Sequence, residues 1–409
     1  MTSTQTLANE PWLSAAATRR VMLALGDARF VGGCVRNSLL GEPVDDIDIA
    51  TPHSPDEVIR LVEAAGLRAV PTGIEHGTIT VIANSKPFEV TTLRRDVTTD
   101  GRRAVVAFTR EWVEDAARRD FTMNALYADA AGNLHDLVHG LADLRARRVR
   151  FIGDPSHRIA EDYLRILRLF RIHAWYGRGA LDADGIRACV EARQKLSTLS
   201  GERIQKEMIK LMAARDPMPV LEPMSETGIL AELVSGDVRL QRVQALCEVD
   251  RESGFKPDGV LRLGGLFSSL AQAKAVSERW RLSNEQRDRL SQMLSGGAAI
   301  RFDISEQEFK CRLYRTGSEA TLDQVRLAWA DDNRPGRRSN WKKLVAQAEA
   351  WKRPQFPLNG ADVMSAGVPQ GPQVGRIMAQ VEAWWIDNGF KDARLQVLDE
   401  MHRIIAALK

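Results

Sequence analysis

Cysteine is scarce in this chain of 409 residues: there are four, Cys34, Cys189, Cys247 and Cys311, none in CxxC spacing. No disulfide framework or cysteine knuckle is expected, only reduced, largely buried thiols. The seven histidines form no HxxxH pair and no His/Cys cluster, which argues against a zinc site. His135-Asp136 is a lone dipeptide and makes no phosphohydrolase centre. No apolar run reaches the ~18 residues of a membrane span. The opening MTSTQTLANEPW lacks the basic start and apolar block of a signal peptide, so a cytoplasmic protein is expected. Neither the G-x-x-x-x-G-K-S/T loop nor the spacing of a dinucleotide fingerprint occurs. Charge of one sign is also missing: 57 basic residues face 54 acidic ones, a net +3 that names no partner. Nothing fixes the oligomeric state.

What is present is ordinary globular composition, 44% hydrophobic and 27% charged, on a chain long enough for two to four domains. Over the first 150 or so residues β-branched runs alternate with turns, predicting strands at 29–35, 46–51, 78–83, 88–93 and 122–129. A helix is predicted over 55–65, stopped by Gly66. After Asp154-Pro155 helical periodicity takes over, through 159–176, 183–194 and 202–214, and continues with breaks near 254–257, 296–297, 334–336 and 354–357. The expected class is α+β: a mixed α/β head over 1–150, then an all-helical neck (151–215), body (216–300) and tail (301–409).

The densest chemical signal is GGCVRN at 32–37 followed by DDIDIAT at 45–51. Gly32 and Gly33 at a strand end allow close backbone approach and leave amides free for an anion; Arg36 adds a charged donor. Asp46 and Asp48, two apart on a strand, share a face, with Asp45 and Ile47 on the other. Like charges so placed repel unless a cation lies between them, and hard carboxylates with substrate phosphates suit Mg2+. The competing reading is a solvated acidic strand edge. Glu89, in the β-rich KPFEVTTLR, is placed to join the pair from a neighbouring strand. Asp96 and Asp100 are rivals in an expected loop.

Two further stretches are ambiguous on residues alone. In EDYLRILRLFR, Asp162, Arg165 and Arg168 fall on one helical face, with Arg171 closing the stretch; this reads as a functional face or a surface ion pair. Residues 334–353 hold seven Lys/Arg, among them Arg337, Arg338, Lys342 and Lys343, against one acid, interleaved with Trp341 and Trp351. That is a phosphate grip or a solvated helix face. Trp384-Trp385 reads as core, and Ser200 as a helix N-cap.

In this order, VGGCVRN…DDIDIAT, FEVTTLR and RRDFTMNAL resemble the head motifs of the class II tRNA nucleotidyltransferase and bacterial poly(A) polymerase superfamily. The family pattern reads VGG-x-VRD-x-LLG; Asn37 replaces its last Asp, which puts any structural salt bridge there in question. The resemblance implies that Gly33, Arg36 and Arg119 contact nucleotide phosphates, that Asp46 and Asp48 bind Mg2+, and that Asn124 serves the sugar or the fold. EDYLRILRLFR is similar to the neck motif in which the Asp and first Arg read the incoming base. Asp only accepts hydrogen bonds and Arg only donates them, so the pair matches cytosine and adenine and rejects uracil and guanine. The connector at 136–155, Ser200…Glu207, and 358–375 match further family segments. The segment 94–110 resembles the flexible loop of enzymes that add the final A. Gly73…His76-Gly77-Thr78 resembles the CCA-adding pattern. The expectation is template-independent addition or repair of the tRNA 3′-terminal CCA from CTP and ATP. A-only addition and poly(A) synthesis are the alternatives. An inactive RNA-binding homologue is disfavoured, because the carboxylates and the Asp162/Arg165 pair are all present.

Overall fold

The structure, a computed structural model, describes residues 6–100, 103–295, 300–332 and 334–408. The expected break at Gly296-Gly297 and the Gly101-Arg102 part of the 94–110 segment lie outside them. The class is α+β, and the chain divides into two compact units, 1–236 and 237–409. Residues 216–236, expected to open a separate body, thus fall in the first unit. Among the described residues no helix is long and apolar enough to cross a membrane.

The first unit is built on a seven-stranded sheet of order β3-β4-β5-β2-β1-β8-β9. Its strands are β1 (Arg29–Val31), β2 (Asp48–Thr51), β3 (Arg68–Gly73), β4 (Thr78–Ala83), β5 (Lys86–Thr92), β8 (Leu126–Ala128) and β9 (Leu134–Asp136); β6 (Arg94–Asp100) and β7 (Arg103–Phe108) form a separate hairpin. Every neighbouring pair of the sheet is antiparallel except β2 and β5, which run parallel with Asp48 opposite Glu89. Alternation sets the buried face: Ile79, Val81 and Ala83 of β4 and Phe88 and Val90 of β5 are buried. The helix Pro55–Ala64 packs on β3–β5 through Val58 and Val62. Its ends are as predicted, with a Ser54/Glu57 capping box at the start and Gly66 at φ +68° beyond Ala65.

Several expected elements differ. The run 29–35 is not one strand: Gly32 at φ +73° ends β1, and α1 (Gly33–Leu40) starts at once. Strand 46–51 shortens to β2, leaving Asp46 ahead of it. Residues 122–124 form a 3-10 turn before β8. The expected flexible loop 94–110 is the β6–β7 hairpin, paired from Arg94/Phe108 to Asp100/Arg103. Helix 159–176 is two helices, α3 (Pro155–Glu161) and α4 (Leu164–Tyr176), with Asp162 extended between them at φ −155°, ψ 106°. The later helices run Ala183–Ala192 and α5 (Gly201–Met212); Ser200 holds the N-cap position of α5 without a side-chain cap bond.

The second unit is helical among its described residues. Its cores gather Phe309, Leu313, Val325, Trp329 and Trp341 in one cluster, and Val363, Ile377, Val381, Trp385 and Val397 in another. Trp385 is core, as its position suggested. Cys34, Cys189 and Cys247 are buried and Cys311 half-buried, all as free thiols.

Candidate active site

A cavity of about 650 Å³ opens in the first unit. Gly32, Gly33, Arg36, Asp46, Asp48, Arg119, Asn124, Arg168 and Arg171 all line it. These are nine of the predicted residues, drawn from the β1–α1 turn, the approach to and start of β2, the segment between the helix Trp112–Ala117 and the 3-10 turn, that turn itself, and α4.

The turn at Gly32 comes from its positive φ, which a side chain disfavours. It brings the first amides of α1 to the cavity wall. Arg36, one turn on, is buried at 7% exposure. Its Nη1 donates to Asn124 Oδ1 at 2.5 Å, and its Nε and Nη2 donate to Asn37 Oδ1 at 3.1 and 2.9 Å. The guanidinium lies 3.8 Å from the centroid of the Tyr176 ring. Asn37 therefore holds Arg36 without neutralising it, and the salt bridge in question is absent. Burial is the main force lowering the Arg36 pKa.

Asp46 is exposed and Asp48 half-buried, while Ile47 and Ile49 between and beyond them are in the core. The two carboxylates thus share the open face, as alternation predicted. Asp45 is exposed and lines the cavity too, contrary to expectation, because the strand that would turn it away starts only at Asp48. Burial first, then the charges of Glu89 and Asp46, push the Asp48 carboxyl up to about 6 against the pull of Arg119 and Arg36. Glu89 is exposed, beside Asp48 across the β2–β5 register, but does not line the cavity. Asp96 and Asp100 lie on β6, and only their backbone is described.

The other cavity cations are fastened. Asp115, on the short helix α2 (Trp112–Ala117), anchors Arg119 and its neighbour Arg118. Its carboxylate accepts from Arg118 Nη2 at 2.5 Å, Arg119 Nη2 at 2.9 Å and the Tyr127 hydroxyl at 2.7 Å. Burial alone would raise that carboxyl; the guanidinium groups of Arg119 and Arg118 outweigh it and bring it to about 2. Asp120 is likewise buried, and Arg168 with the Asn124 amide and the Phe121 N–H brings it to about 2. Asn124 thus links Asp120 to Arg36, a bridging role in the fold that a merely local backbone bond would not give it. Arg171 pairs with Glu207 of α5.

Asp162 and Arg165 are not the helical ion pair expected. Asp162 Oδ1 accepts from the Leu164 N–H at 3.1 Å and Oδ2 from Arg203 Nη2 at 2.7 Å. Arg165 pairs with Glu161 and donates to the carbonyls of Arg158 and Arg118 at 2.9 and 3.0 Å. The extended backbone at Asp162 takes its side chain off the face of α4. Neither residue lines the cavity. Sequence reasoning missed Trp175, Tyr176 and Lys210 of the lining. The first two continue the α4 face of Arg168 and Arg171 at helical spacing, a signal that was available.

In the second unit the basic stretch is uneven. Arg337 pairs with Asp332 at 3.0 Å and stacks 3.9 Å over Phe302; Arg338 pairs with Glu252 at 3.1 Å. Lys342 and Lys343 are exposed on the helix Arg338–Glu349, whose buried face carries Trp341. Trp351 is half-buried, so neither indole stands free for a base.

A strand-end glycine turn, a carboxylate pair beside an uncompensated guanidinium, and this mixed sheet are features of a nucleotidyltransferase. The sequence model of the Poly A polymerase head domain matches residues 28–150, and that of the probable RNA and SrmB-binding site of polymerase A matches 180–236. CCA tRNA nucleotidyltransferase 1, mitochondrial, of Danio rerio is 31% identical over 392 residues, 92% of this chain and 87% of that protein. The CCA-adding enzyme of Streptococcus sanguinis is 32% identical over 390 residues, 94% of this chain and 95% of that one. The crystal structure of the Bacillus stearothermophilus CCA-adding enzyme in complex with CTP superposes with a TM-score of 0.73 at 28% identity, covering 95% and 98% of the two chains. The chain belongs to the class II CCA-adding tRNA nucleotidyltransferase family.

Membership implies use of a divalent metal. The residues fit one: Asp46 and Asp48 have no ion-pair partner among the described residues, and the Asp48 carboxyl stays raised despite the pull of Arg119 and Arg36. No three His, Cys, Asp or Glu side chains among the described residues form a complete cage. The donor set suits a cation that fills its shell with water and phosphate oxygens.

Proposed function

We infer that this chain adds or restores the 3′-terminal CCA of tRNA, using CTP and ATP and no nucleic-acid template. The 3′ hydroxyl oxygen of the RNA bonds to the α-phosphorus of the nucleotide. The bond to the β-phosphate bridging oxygen breaks, the hydroxyl proton is lost, and pyrophosphate leaves. The observation that carries this reading is one cavity wall with two unpaired carboxylates beside a buried, unpaired guanidinium, Arg36. A polyanion bound through cations complements that pattern; neither a neutral ligand nor a bare anion does.

Asp46 and Asp48 would hold Mg2+, with Glu89 adding negative potential beside them. When bound there, the ion would supply charge neutralisation at the phosphates and favour loss of the hydroxyl proton. Gly32, Gly33, Arg36 and Arg119 receive the triphosphate, with Asn124 fixing Arg36. Arg168 and Arg171, fastened to Asp120 and Glu207, shape the wall beside them. Asp162, oriented by Arg203, and Arg165 read the Watson–Crick edge of C or A. The head (1–150) and neck (151–215) carry the chemistry, and Lys342 and Lys343, with Arg337 and Arg338, meet the tRNA. A cytoplasmic setting accords with this role.

The deciding experiment incubates the protein with tRNA lacking its CCA, CTP, ATP and Mg2+, then sequences the 3′ ends. Complete C-C-A ends are expected. A alone, or a homopolymer of A, would replace this reading by one of its alternatives. No incorporation would leave a binding protein.

A further inference from the structure

Five basic side chains line the cavity, and their compensation is unequal. Arg119 is tied to Asp115 at 2.9 Å, Arg168 to Asp120 at 2.5 Å, and Arg171 to Glu207. Arg36 and Lys210 also line the cavity, yet neither has a carboxylate within ion-pair distance among the described residues. Lys210 is exposed on α5, one turn beyond the Ser200…Glu207 segment and outside every quoted motif. A chain of contacts places it: the Arg36 guanidinium stacks on Tyr176, Tyr176 neighbours Trp175 at 6.4 Å between ring centroids, and the Trp175 indole N–H donates to the Lys210 carbonyl at 2.7 Å. That last bond ties α4 to α5 and sets where the Lys210 side chain starts. Two cations without an ion-pair partner among the described residues therefore line a cavity whose other marked feature is a carboxylate pair likewise without one.

We propose that Lys210 is a triphosphate-binding residue, taking the β- and γ-phosphate end of the incoming nucleotide together with Arg36. This rests on the functional reading above and deepens it. Lysine suits the task, because an ammonium on a long stem follows a flexible polyphosphate without demanding bidentate geometry. The fastened arginines shape the site, while Arg36 and Lys210 carry the net charge the triphosphate meets. The rival is a phosphate of the RNA backbone, which the match of 180–236 to an RNA-binding segment makes the natural alternative.

The two are separated by dissociation constants for CTP, ATP and CMP, measured without RNA, and for tRNA, measured without nucleotide. Lys210→Met is expected to weaken CTP and ATP about ten- to a hundredfold, the scale of one charge-assisted bond, and to leave CMP and tRNA within about twofold. Lys210→Arg is expected to restore most of the triphosphate affinity. Equal weakening of CMP and CTP would overturn the proposal, as would unchanged triphosphate binding with weakened tRNA. Incorporation by the wild-type protein is scored separately. Its absence would defeat the functional reading, whereas the binding constants decide the place of Lys210 in either case.

Discussion

At the scale of single residues the carboxylates dominate. Asp46→Ala or Asp48→Ala should keep the fold, since both side chains face the open side of the sheet, and lose at least about a thousandfold in incorporation rate. Single-turnover kinetics checks this, with a thermal melt to confirm folding; activity within about tenfold of wild type removes them from the chemistry. Base choice gives a second test. Asp162→Ala should slow CTP and ATP use about ten- to a hundredfold and relax rejection of UTP and GTP, because the acceptor for the amino group and the repulsion of the carbonyl vanish together. Arg165→Ala should lower CTP and ATP use without a comparable gain for UTP. Incorporation ratios for the four nucleotides decide; wild-type ratios in both variants would leave this stretch structural. The motif residues themselves were legible because their chemistry is local: a same-face carboxylate pair needs only two-residue spacing. Their partners were not. Nothing in EDYLRILRLFR says that Asp162 will be held by Arg203, or Arg165 by Glu161 and two carbonyls.

At the scale of elements, misreadings cluster where one backbone angle decides. The run Arg29–Val35 is β-branched enough for a strand, but Gly32 takes a positive φ and turns the chain into a helix. Helical periodicity runs unbroken through 159–176, yet the chain extends at Asp162, where the carboxylate caps the next turn through Leu164 N–H. The segment 94–110 looked like a loop from its charge and Gly content, whereas cross-strand pairing makes it a hairpin. Long amphipathic or capped elements, such as Pro55–Ala64, were read almost to the residue. A different glycine exposes how tightly the site turn is set. A Cβ on Gly140 would lie 2.0 Å from the Thr122 carbonyl oxygen, and Thr122 opens the turn that carries Asn124. Gly140→Ala must therefore push that turn. It should destabilise by roughly 2 kcal/mol or more and reduce incorporation through the displaced Asn124–Arg36 bond. Urea melts and kinetics on one preparation test this; a variant with unchanged stability and activity contradicts it.

At the scale of the whole molecule, two titrations are informative. The Asp115 and Asp120 carboxyls sit near 2, below their ordinary value, so they stabilise the folded state fully above about pH 4 and lose that contribution as pH falls towards 2. Each contributes on the order of 2 kcal/mol. The fall in urea midpoint across that window should be shallower in Asp120→Asn, though its stability at neutral pH will be lower. Salt titration addresses the tail. Because Arg337 and Arg338 already face Asp332 and Glu252, Lys342 and Lys343 should carry most of any phosphate contact. Replacing both lysines by Ala should reduce the slope of log affinity for tRNA against log salt by roughly one to two, and leave CTP binding unchanged. An unchanged slope rejects the patch. The net charge of +3 concealed this distribution, since total charge says nothing about which cations already have partners.

The parallel pairing of β2 with β5 limits how the gene can change length. Asp48 lies opposite Glu89 only while the residues of β5 keep their count. One codon inserted within β5 ahead of Glu89 would turn that carboxylate towards the core and send Val90 into solvent, a lesion no point substitution matches. The crossover between the two strands is under no such constraint at its tips. The Asn84-Ser85 turn, with both residues at positive φ, joins β4 to β5 outside the ladder. Insertions and deletions among descendants of this sequence should therefore gather at such tips, while the strands either side keep a fixed reading length.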